Sequence, residues 1–148
     1  MRVVVADDVL LTRAGIVRLL REAGVEVVGE AGDAVTLLHQ VRLNRPDVAL
    51  VDIRMPPTHT DEGLVAAREI RASYPEVGVL VLSQYVDPGY AMRLLEEHPE
   101  RIGYLLKDRI LDVQAFLDAA QRVADGGSAL DPQVVGALLA QRAGNDPL

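Results

Sequence analysis

Short apolar runs alternate with longer segments of helical periodicity along most of the chain. Five runs rich in valine, leucine and isoleucine predict buried strands at 2–6, 25–29, 47–51, 77–82 and 102–106. Elsewhere apolar residues recur every three or four positions, which predicts helices at 10–23, 34–45, 61–73, 88–97 and 113–123. Strands that are apolar on both faces and alternate with helices favour a parallel sheet covered on both sides. The pattern therefore predicts one α/β domain of five βα units.

Residues that end helices mark the boundaries between these segments. Glycine or proline follows each of the first three predicted helices, at Gly24, Pro46 and Pro75. A further short helix is predicted at about 132–141. The polar tail 142–148 is expected to fray.

The composition narrows the possible classes of protein. Of the 148 residues 49% are apolar, yet only one Phe and four Tyr are aromatic, so aliphatic side chains must form the core. The net charge of −7 disfavours a nucleic-acid or anionic-membrane surface on this chain. The absence of cysteine excludes disulfides, thiolate nucleophiles and cysteine-based zinc sites. No stretch has transmembrane character, and Arg13 and Arg18 interrupt the N-terminal region, so we expect a soluble cytoplasmic protein.

Polar or charged residues follow four of the five predicted strands. In open α/β sheets, ligands bind outside the carboxyl ends of the strands, which lie at one edge. The residues at these ends are Asp7 and Asp8 (first strand), Asp52 (third), Ser83 (fourth) and Lys107 (fifth). Each alone is a common turn, cap or surface residue. Their joint occurrence at the strand ends of one βα series favours a functional cluster.

Three carboxylates at one edge require compensating positive charge. Two unit charges about 4 Å apart repel by roughly 4 kcal/mol at an effective dielectric of 20, so Asp7 and Asp8 either diverge into water or share a cation. Carboxylates without histidine or sulfur suit Mg²⁺, and Mg²⁺ with Lys107 would balance the three negative charges. Such a site could accept a phosphoryl group on a carboxylate, with the Ser83 hydroxyl donating a hydrogen bond to the product.

Four motifs carry a resemblance to a known family. They are "VVVADD", "ALVDIRMP", "VLVLS" and "GYLLKD". Over about residues 1–126, the chain resembles the receiver domain of two-component response regulators. The resemblance implies a flavodoxin-like, doubly wound, five-stranded parallel sheet of order 2-1-3-4-5, with five helices and a short C-terminal helix.

The resemblance also implies a phosphorylation site. A sensor histidine kinase would transfer a phosphoryl group to Asp52. Mg²⁺ would be held by Asp7, Asp8, Asp52 and the main-chain carbonyl of Arg54.

The resemblance implies that three further residues contact the phosphoryl group or respond to it. Ser83 and Lys107 would contact the phosphate, and Tyr104 would change rotamer as Ser83 moves towards it. The resemblance implies a phosphorylation-dependent homodimer, formed through either the helix 4–strand 5–helix 5 face or a helix 1–helix 5 surface.

The motif "GYLLKD" and the tail "VADGGSALDPQVVGALL" are most similar to the LuxR/NarL-type group of regulators. The expected organisation is a receiver domain at 1–126, followed at 127–148 by a linker and short helix leading to a helix-turn-helix domain absent from this chain. DNA contact and transcription control would then belong to that absent domain. The chain is interpreted as an excised receiver, with a natural single-domain regulator as the alternative.

Two other functions stay open from the residues alone. One is a Mg²⁺-dependent phosphohydrolase that forms an aspartyl phosphate, although no second carboxylate follows Asp52 by two residues. The other is a receiver-like interaction module that works without phosphorylation. The favoured interpretation is not an enzyme, apart from its own phosphorylation and dephosphorylation.

The sequence departs from the family pattern near the phosphoacceptor. Gly63 lies seven residues after Pro56, whereas many relatives have glycine four residues on. Gln84, rather than a small residue, follows Ser83. The three histidines, which show no ligand spacing and are interpreted as surface residues, are His39, His59 and His98.

Overall fold

The computed structural model describes the backbone of residues 1–144 and the side chains of residues 1–141. Six strands and six α-helices alternate along it. In chain order they are β1 (Arg2–Ala6), α1 (Leu10–Glu22), β2 (Glu26–Ala31), α2 (Ala34–Asn44), β3 (Val48–Asp52), α3 (Glu62–Ser73), β4 (Gly78–Ser83), α4 (Pro88–Glu97), β5 (Ile102–Leu106), α5 (Val113–Ala124), β6 (Ser128–Leu130) and α6 (Pro132–Gly144). A 3₁₀ helix, Lys107–Leu111, joins β5 to α5.

The strands form one parallel sheet of order β2-β1-β3-β4-β5-β6. This confirms the predicted order of the first five strands. The sixth strand corrects the expected count. It has only three residues, too few for a periodic signal, and it forms because Ser128 to Leu130 pair in parallel with Ile102 to Tyr104 of β5.

Helices cover both faces of the sheet. Alternate residues of β1 point to opposite faces: Val4 and Ala6 pack with α2, α3 and α4, whereas Val3 and Val5 pack with α1 and α5. The central strands β3 and β4 are buried along nearly their whole length, which explains their uninterrupted apolar sequence. The aliphatic composition therefore fills two cores, one on each side of the sheet.

The C-terminal segment continues the fold past the predicted fifth helix. α6 packs against α4 and buries Val134 in the core that α4 shares. Its backbone is helical to Gly144, beyond the predicted end at 141, and the remainder of the predicted polar tail, 145–148, lies outside the described residues. The proposed division of the chain at 126 stays a prediction.

No helix within the part of the chain that the structure describes is both long enough and apolar enough to cross a membrane.

Candidate functional site

Three carboxylates meet at the carboxyl edge of the sheet. Asp7 and Asp8 directly follow β1, and Asp52 is the last residue of the neighbouring strand β3. One oxygen from each of the three lies within 4.8 Å of the others. Asp7 is 1% exposed and Asp52 is 6% exposed, so two of the three charges are almost removed from water. The parallel pairing of β1 with β3 therefore brings together the acids that the sequence predicted as a cluster.

Lys107 supplies positive charge inside this cluster. It begins the 3₁₀ helix after β5, and its Nζ lies 3.2 Å from Asp7 Oδ2 and 3.3 Å from Asp52 Oδ2. Its side chain is 18% exposed, so water screens the two ion pairs only partly. One lysine thus neutralises one of three adjacent negative charges, and the site retains an excess of negative charge.

The carboxylates retain the capacity to bind a cation. Asp7 Oδ1 accepts a hydrogen bond from the backbone N–H of Val9 at 2.9 Å. Asp7 Oδ2 is buried and accepts no hydrogen bond within the described chain, since its contact with Lys107 is an ion pair that lacks hydrogen-bond alignment. A buried carboxylate oxygen without a hydrogen bond beside two further carboxylates suits a hard divalent cation. The donor set therefore fits a metal ion.

The protonation of Asp52 reflects its burial. Desolvation raises the pKa of this carboxyl from 3.8 to about 6, and the charges of Asp7 and Asp8 act in the same direction. Lys107 opposes them, by its charge and by its hydrogen bond, but does not cancel the effect of burial. Asp52 is therefore ionised at neutral pH at an energetic cost, which a bound cation would reduce.

Ser83 and Tyr104 meet at a backbone carbonyl of the loop between β4 and α4. The Ser83 hydroxyl donates to the carbonyl oxygen of Tyr85 at 2.6 Å, and the Tyr104 hydroxyl lies 3.3 Å from the same oxygen. Tyr104 is 1% exposed, and desolvation raises the pKa of its phenol. Ser83 is thus turned towards the loop and is hydrogen-bonded there rather than to a carboxylate.

A cavity of about 260 Å³ opens beside Asp52. It contains the predicted residues Asp8, Asp52, Arg54, Ser83 and Lys107 in its wall, together with Gln84 and His59. The Arg54 guanidinium lies over the Tyr85 ring, 5.3 Å from its centroid. The predicted role of the Arg54 main-chain carbonyl stays a prediction.

His59 lies at the surface, as predicted, and also contacts one of the three acids. Its ring is exposed, but its Nε2 lies 2.9 Å from Asp8 Oδ2, across the mouth of the cavity. No spacing pattern in the sequence predicts this contact, because His59 lies 51 residues from Asp8, in a loop of irregular backbone.

Gly63 fixes the start of α3 against the backbone of Asp52 and Ile53. Its backbone N–H donates to the Ile53 carbonyl oxygen at 2.8 Å, which draws the helix onto the end of β3. A Cβ at this position would lie 1.9 Å from the Asp52 carbonyl oxygen. Only glycine permits this approach without displacement of the backbone beside Asp52.

Comparison with known proteins agrees with this geometry. Residues 3–120 match the family model described as the response regulator receiver domain. The chain therefore belongs to the response regulator receiver family, and its relatives include LuxR-family transcription regulators.

Three relatives show the extent of the similarity. The chain is 37% identical to the transcriptional regulatory protein DegU of Brevibacillus brevis, over 93% of this chain and 56% of DegU. The signal receiver domain of NarL from Mycobacterium tuberculosis shares 39% identity at a TM-score of 0.68, covering 81% of this chain and 95% of that domain. RcsB from Salmonella enterica serovar Typhimurium, bound to promoter rprA in the presence of phosphomimetic BeF₃⁻, shares 26% identity at a TM-score of 0.76, covering 97% and 69%. The chain spans 56–62% of the length of the first curated relatives it matches.

Proposed function

We propose that the chain accepts a phosphoryl group on Asp52 from a phosphohistidine of a sensor kinase. The observation that carries this proposal is the convergence of three carboxylates with the Lys107 ammonium, which lies 3.3 Å from Asp52 Oδ2. This group lies at the carboxyl edge of the parallel sheet, where such folds bind ligands. The arrangement suits the transfer of a negatively charged group.

In the proposed step, an Asp52 carboxylate oxygen attacks phosphorus while the phosphorus–nitrogen bond of the donor phosphohistidine breaks. The leaving imidazole nitrogen keeps the bonding electrons and is protonated by solvent. Lys107 lies close enough to Asp52 to offset negative charge on the transferred oxygens. With a pKa of about 6, Asp52 is ionised and nucleophilic at neutral pH.

We propose that Mg²⁺ is the cation of this site. Asp7, Asp8, Asp52 and the main-chain carbonyl of Arg54 would hold it, and the unsatisfied Asp7 Oδ2 supports this assignment. When bound, Mg²⁺ supplies Lewis-acid stabilisation of the phosphoryl oxygens.

The proposed switch acts through Ser83, Tyr85 and Tyr104. If Ser83 turns to donate to a phosphate oxygen, it releases the Tyr85 carbonyl that it now shares with Tyr104. The loop between β4 and α4 and the Tyr104 ring can then repack. Phosphorylation would bias two states that already exist, by the difference in contacts between them.

The output of the switch is also proposed. Residues 1–126 would form the receiver, and 127–148 would begin the connection to a DNA-binding domain of the kind that the RcsB–promoter complex and the LuxR-family relatives suggest. The protein would act in the cytoplasm as a phosphorylation-dependent homodimer, without enzymatic turnover beyond its own phosphorylation and dephosphorylation.

The test is the mass of the intact protein after incubation with acetyl phosphate and Mg²⁺. One phosphoryl increment is expected, dependent on Mg²⁺ and lost in Asp52→Asn. Asp108→Asn, an exposed acid of the 3₁₀ helix, serves as a matched control that retains the increment. No increment, even with a panel of histidine kinases, would contradict the proposal. Steady phosphate release from a small phosphate ester would instead support a phosphohydrolase.

A further inference from the structure

Lys107 contacts two of the three carboxylates of the site, and a histidine contacts the third. Asp7 receives the Val9 N–H and the Lys107 ammonium, and Asp52 faces the same lysine. Among the side chains that the structure describes, 1–141, one hydrogen-bonds to the Asp8 side chain: His59, through Nε2 at 2.9 Å. His59 is therefore the hydrogen-bond partner of Asp8, whereas Lys107 forms ion pairs with Asp7 and Asp52.

The direction of this hydrogen bond follows from the chemistry of its partners. A carboxylate can only accept, so His59 Nε2 carries the proton and donates it to Asp8 Oδ2. A carboxylate has two oxygens, so one can accept from the imidazole while the other remains available to a cation. Hydrogen bonds of this kind fix the rotamer of a metal-binding carboxylate.

The long loop after β3 is built to hold the imidazole in place. The backbone N–H of His59 donates to the Met55 carbonyl oxygen at 3.0 Å, and the His59 backbone is left-handed, with φ of 55°. Glu62 closes the loop by accepting from the backbone N–H and the hydroxyl of Thr58 and from the N–H of Thr60. These hydrogen bonds with Thr58 hold the pKa of Glu62 down to about 2, so the Glu62 carboxylate stays charged.

We propose that His59 is a positioning residue for the cation site: by donating to Asp8 Oδ2, it holds the Asp8 carboxylate in the orientation that binds Mg²⁺. This inference rests on the proposed function, since it concerns the same cation. It also accounts for the length of the loop between Pro56 and Gly63, because this loop brings His59 to Asp8 in the wall of the cavity. Loss of comparable outer hydrogen bonds typically weakens metal binding by about 10–100-fold.

The experiment is a calorimetric titration of the full chain with MgCl₂ at one fixed pH. His59→Ala is expected to weaken Mg²⁺ binding by about 10–100-fold, with an unchanged circular dichroism spectrum. His59→Gln keeps an N–H donor and is expected to bind Mg²⁺ more tightly than His59→Ala. His39→Ala removes an exposed histidine from α2 and is expected to match the wild type.

A second readout needs no metal. Long-range ¹H–¹⁵N spectra of the metal-free protein at one fixed pH should show that Asp8→Ala shifts the ring ¹⁵N resonances of His59 and leaves those of His39 unchanged. A His59→Ala variant that binds Mg²⁺ as tightly as the wild type would overturn this inference and leave the proposed function intact. A wild-type chain that binds no Mg²⁺ would overturn the cation site of the proposed function, and this inference with it.

Discussion

Asp7, Asp8 and Asp52 are chemically identical side chains placed in three different environments. Asp7 is buried, paired with Lys107 and hydrogen-bonded by the Val9 N–H, Asp8 is partly exposed and contacts His59, and Asp52 is buried and also paired with Lys107. Residue type alone does not determine which of the three acids is the proposed phosphoacceptor. The distinction comes from burial and from the position of one lysine and one histidine around them.

The titration of Asp52 should be visible in the stability of the metal-free protein. Because burial raises its pKa from 3.8 to about 6, the protonated acid is favoured in the folded state, and its stabilising contribution is lost as the pH rises through about 6. A difference of this size between the pKa values of the folded and unfolded states corresponds to about 3 kcal/mol of unfolding free energy. We expect Asp52→Asn to match the wild type near pH 4 and to be more stable by up to about 3 kcal/mol at neutral pH.

Urea unfolding of both proteins in EDTA, followed across this range of pH, measures the difference directly. A stability gap between the two proteins that stays constant with pH would show that Asp52 does not carry the shift.

Substitutions of two glycines separate steric from conformational effects. Gly63→Ala places a methyl group 1.9 Å from the Asp52 carbonyl oxygen and should cost several kcal/mol by displacing α3 or the end of β3. Gly15→Ala, in the exposed interior of α1 with no atom within 4 Å of the added Cβ, should stabilise the protein by about 0.5–1 kcal/mol. Thermal unfolding measures both effects. A neutral Gly63→Ala would contradict the close approach of α3 to Asp52.

At the scale of elements, one buried acid joins β5, the 3₁₀ helix and α6. Asp131 is fully buried and caps α6 through the N–H of Gln133 at 3.0 Å. It also accepts from the Leu106 N–H at 3.3 Å and forms two hydrogen bonds with the Arg109 guanidinium, at 2.8 and 3.2 Å. Since Leu106 immediately precedes Lys107, this acid anchors the C-terminal helix beside the strand end that carries the site lysine.

Removal of Asp131 should therefore cost far more than removal of an exposed acid. Asp131→Ala leaves the Leu106 N–H without its acceptor and α6 without its cap, a loss of about 2–4 kcal/mol. Glu97→Ala, which breaks a bidentate but exposed ion pair with Arg68, should cost no more than about 1 kcal/mol. Chemical denaturation compares them. Equal losses would mean that the Asp131 hydrogen bonds contribute no more than a surface ion pair.

At the scale of the whole molecule, the two predicted dimer surfaces are not equally open. β6 pairs along β5 and α6 packs against α4, so this chain covers part of the helix 4–strand 5–helix 5 face itself. On the other side of the sheet, α1 and the 3₁₀ helix border an apolar groove of about 580 Å³, in which Leu11 is 84% exposed and Leu111 is 87% exposed. Exposed apolar side chains in one groove mark it as the candidate surface for the predicted dimer.

The dimer prediction is tested by light scattering with BeF₃⁻ and Mg²⁺. The wild type is expected to double in mass, and Leu11→Glu is expected to remain monomeric because its charge would be buried in the interface. Leu43→Glu, a comparably exposed leucine on α2, is the matched control and should dimerise. If Leu11→Glu dimerised as well as the control, the interface would lie elsewhere.

The sequence by itself determined the order of the five βα units and predicted which charged residues meet at the edge of the sheet. Alternating apolar runs and helical periodicity predict the five βα units because parallel strands must be buried on both faces. Motif resemblance to the receiver family gives the strand order, and the rule that strand ends share one edge predicts that Asp7, Asp8, Asp52 and Lys107 meet. These features follow from local pattern and connectivity, so they could be predicted without coordinates.

Other features were decided by tertiary structure alone. The three-residue strand β6 exists because β5 offers it a partner, and a segment that short has no periodic signal of its own. The approach of His59 to Asp8 depends on the path of an irregular loop, and the pKa of Asp52 depends on how much water the fold excludes. These features depend on distances in space between residues that are far apart in the chain. The separation of residues along the sequence does not predict those distances.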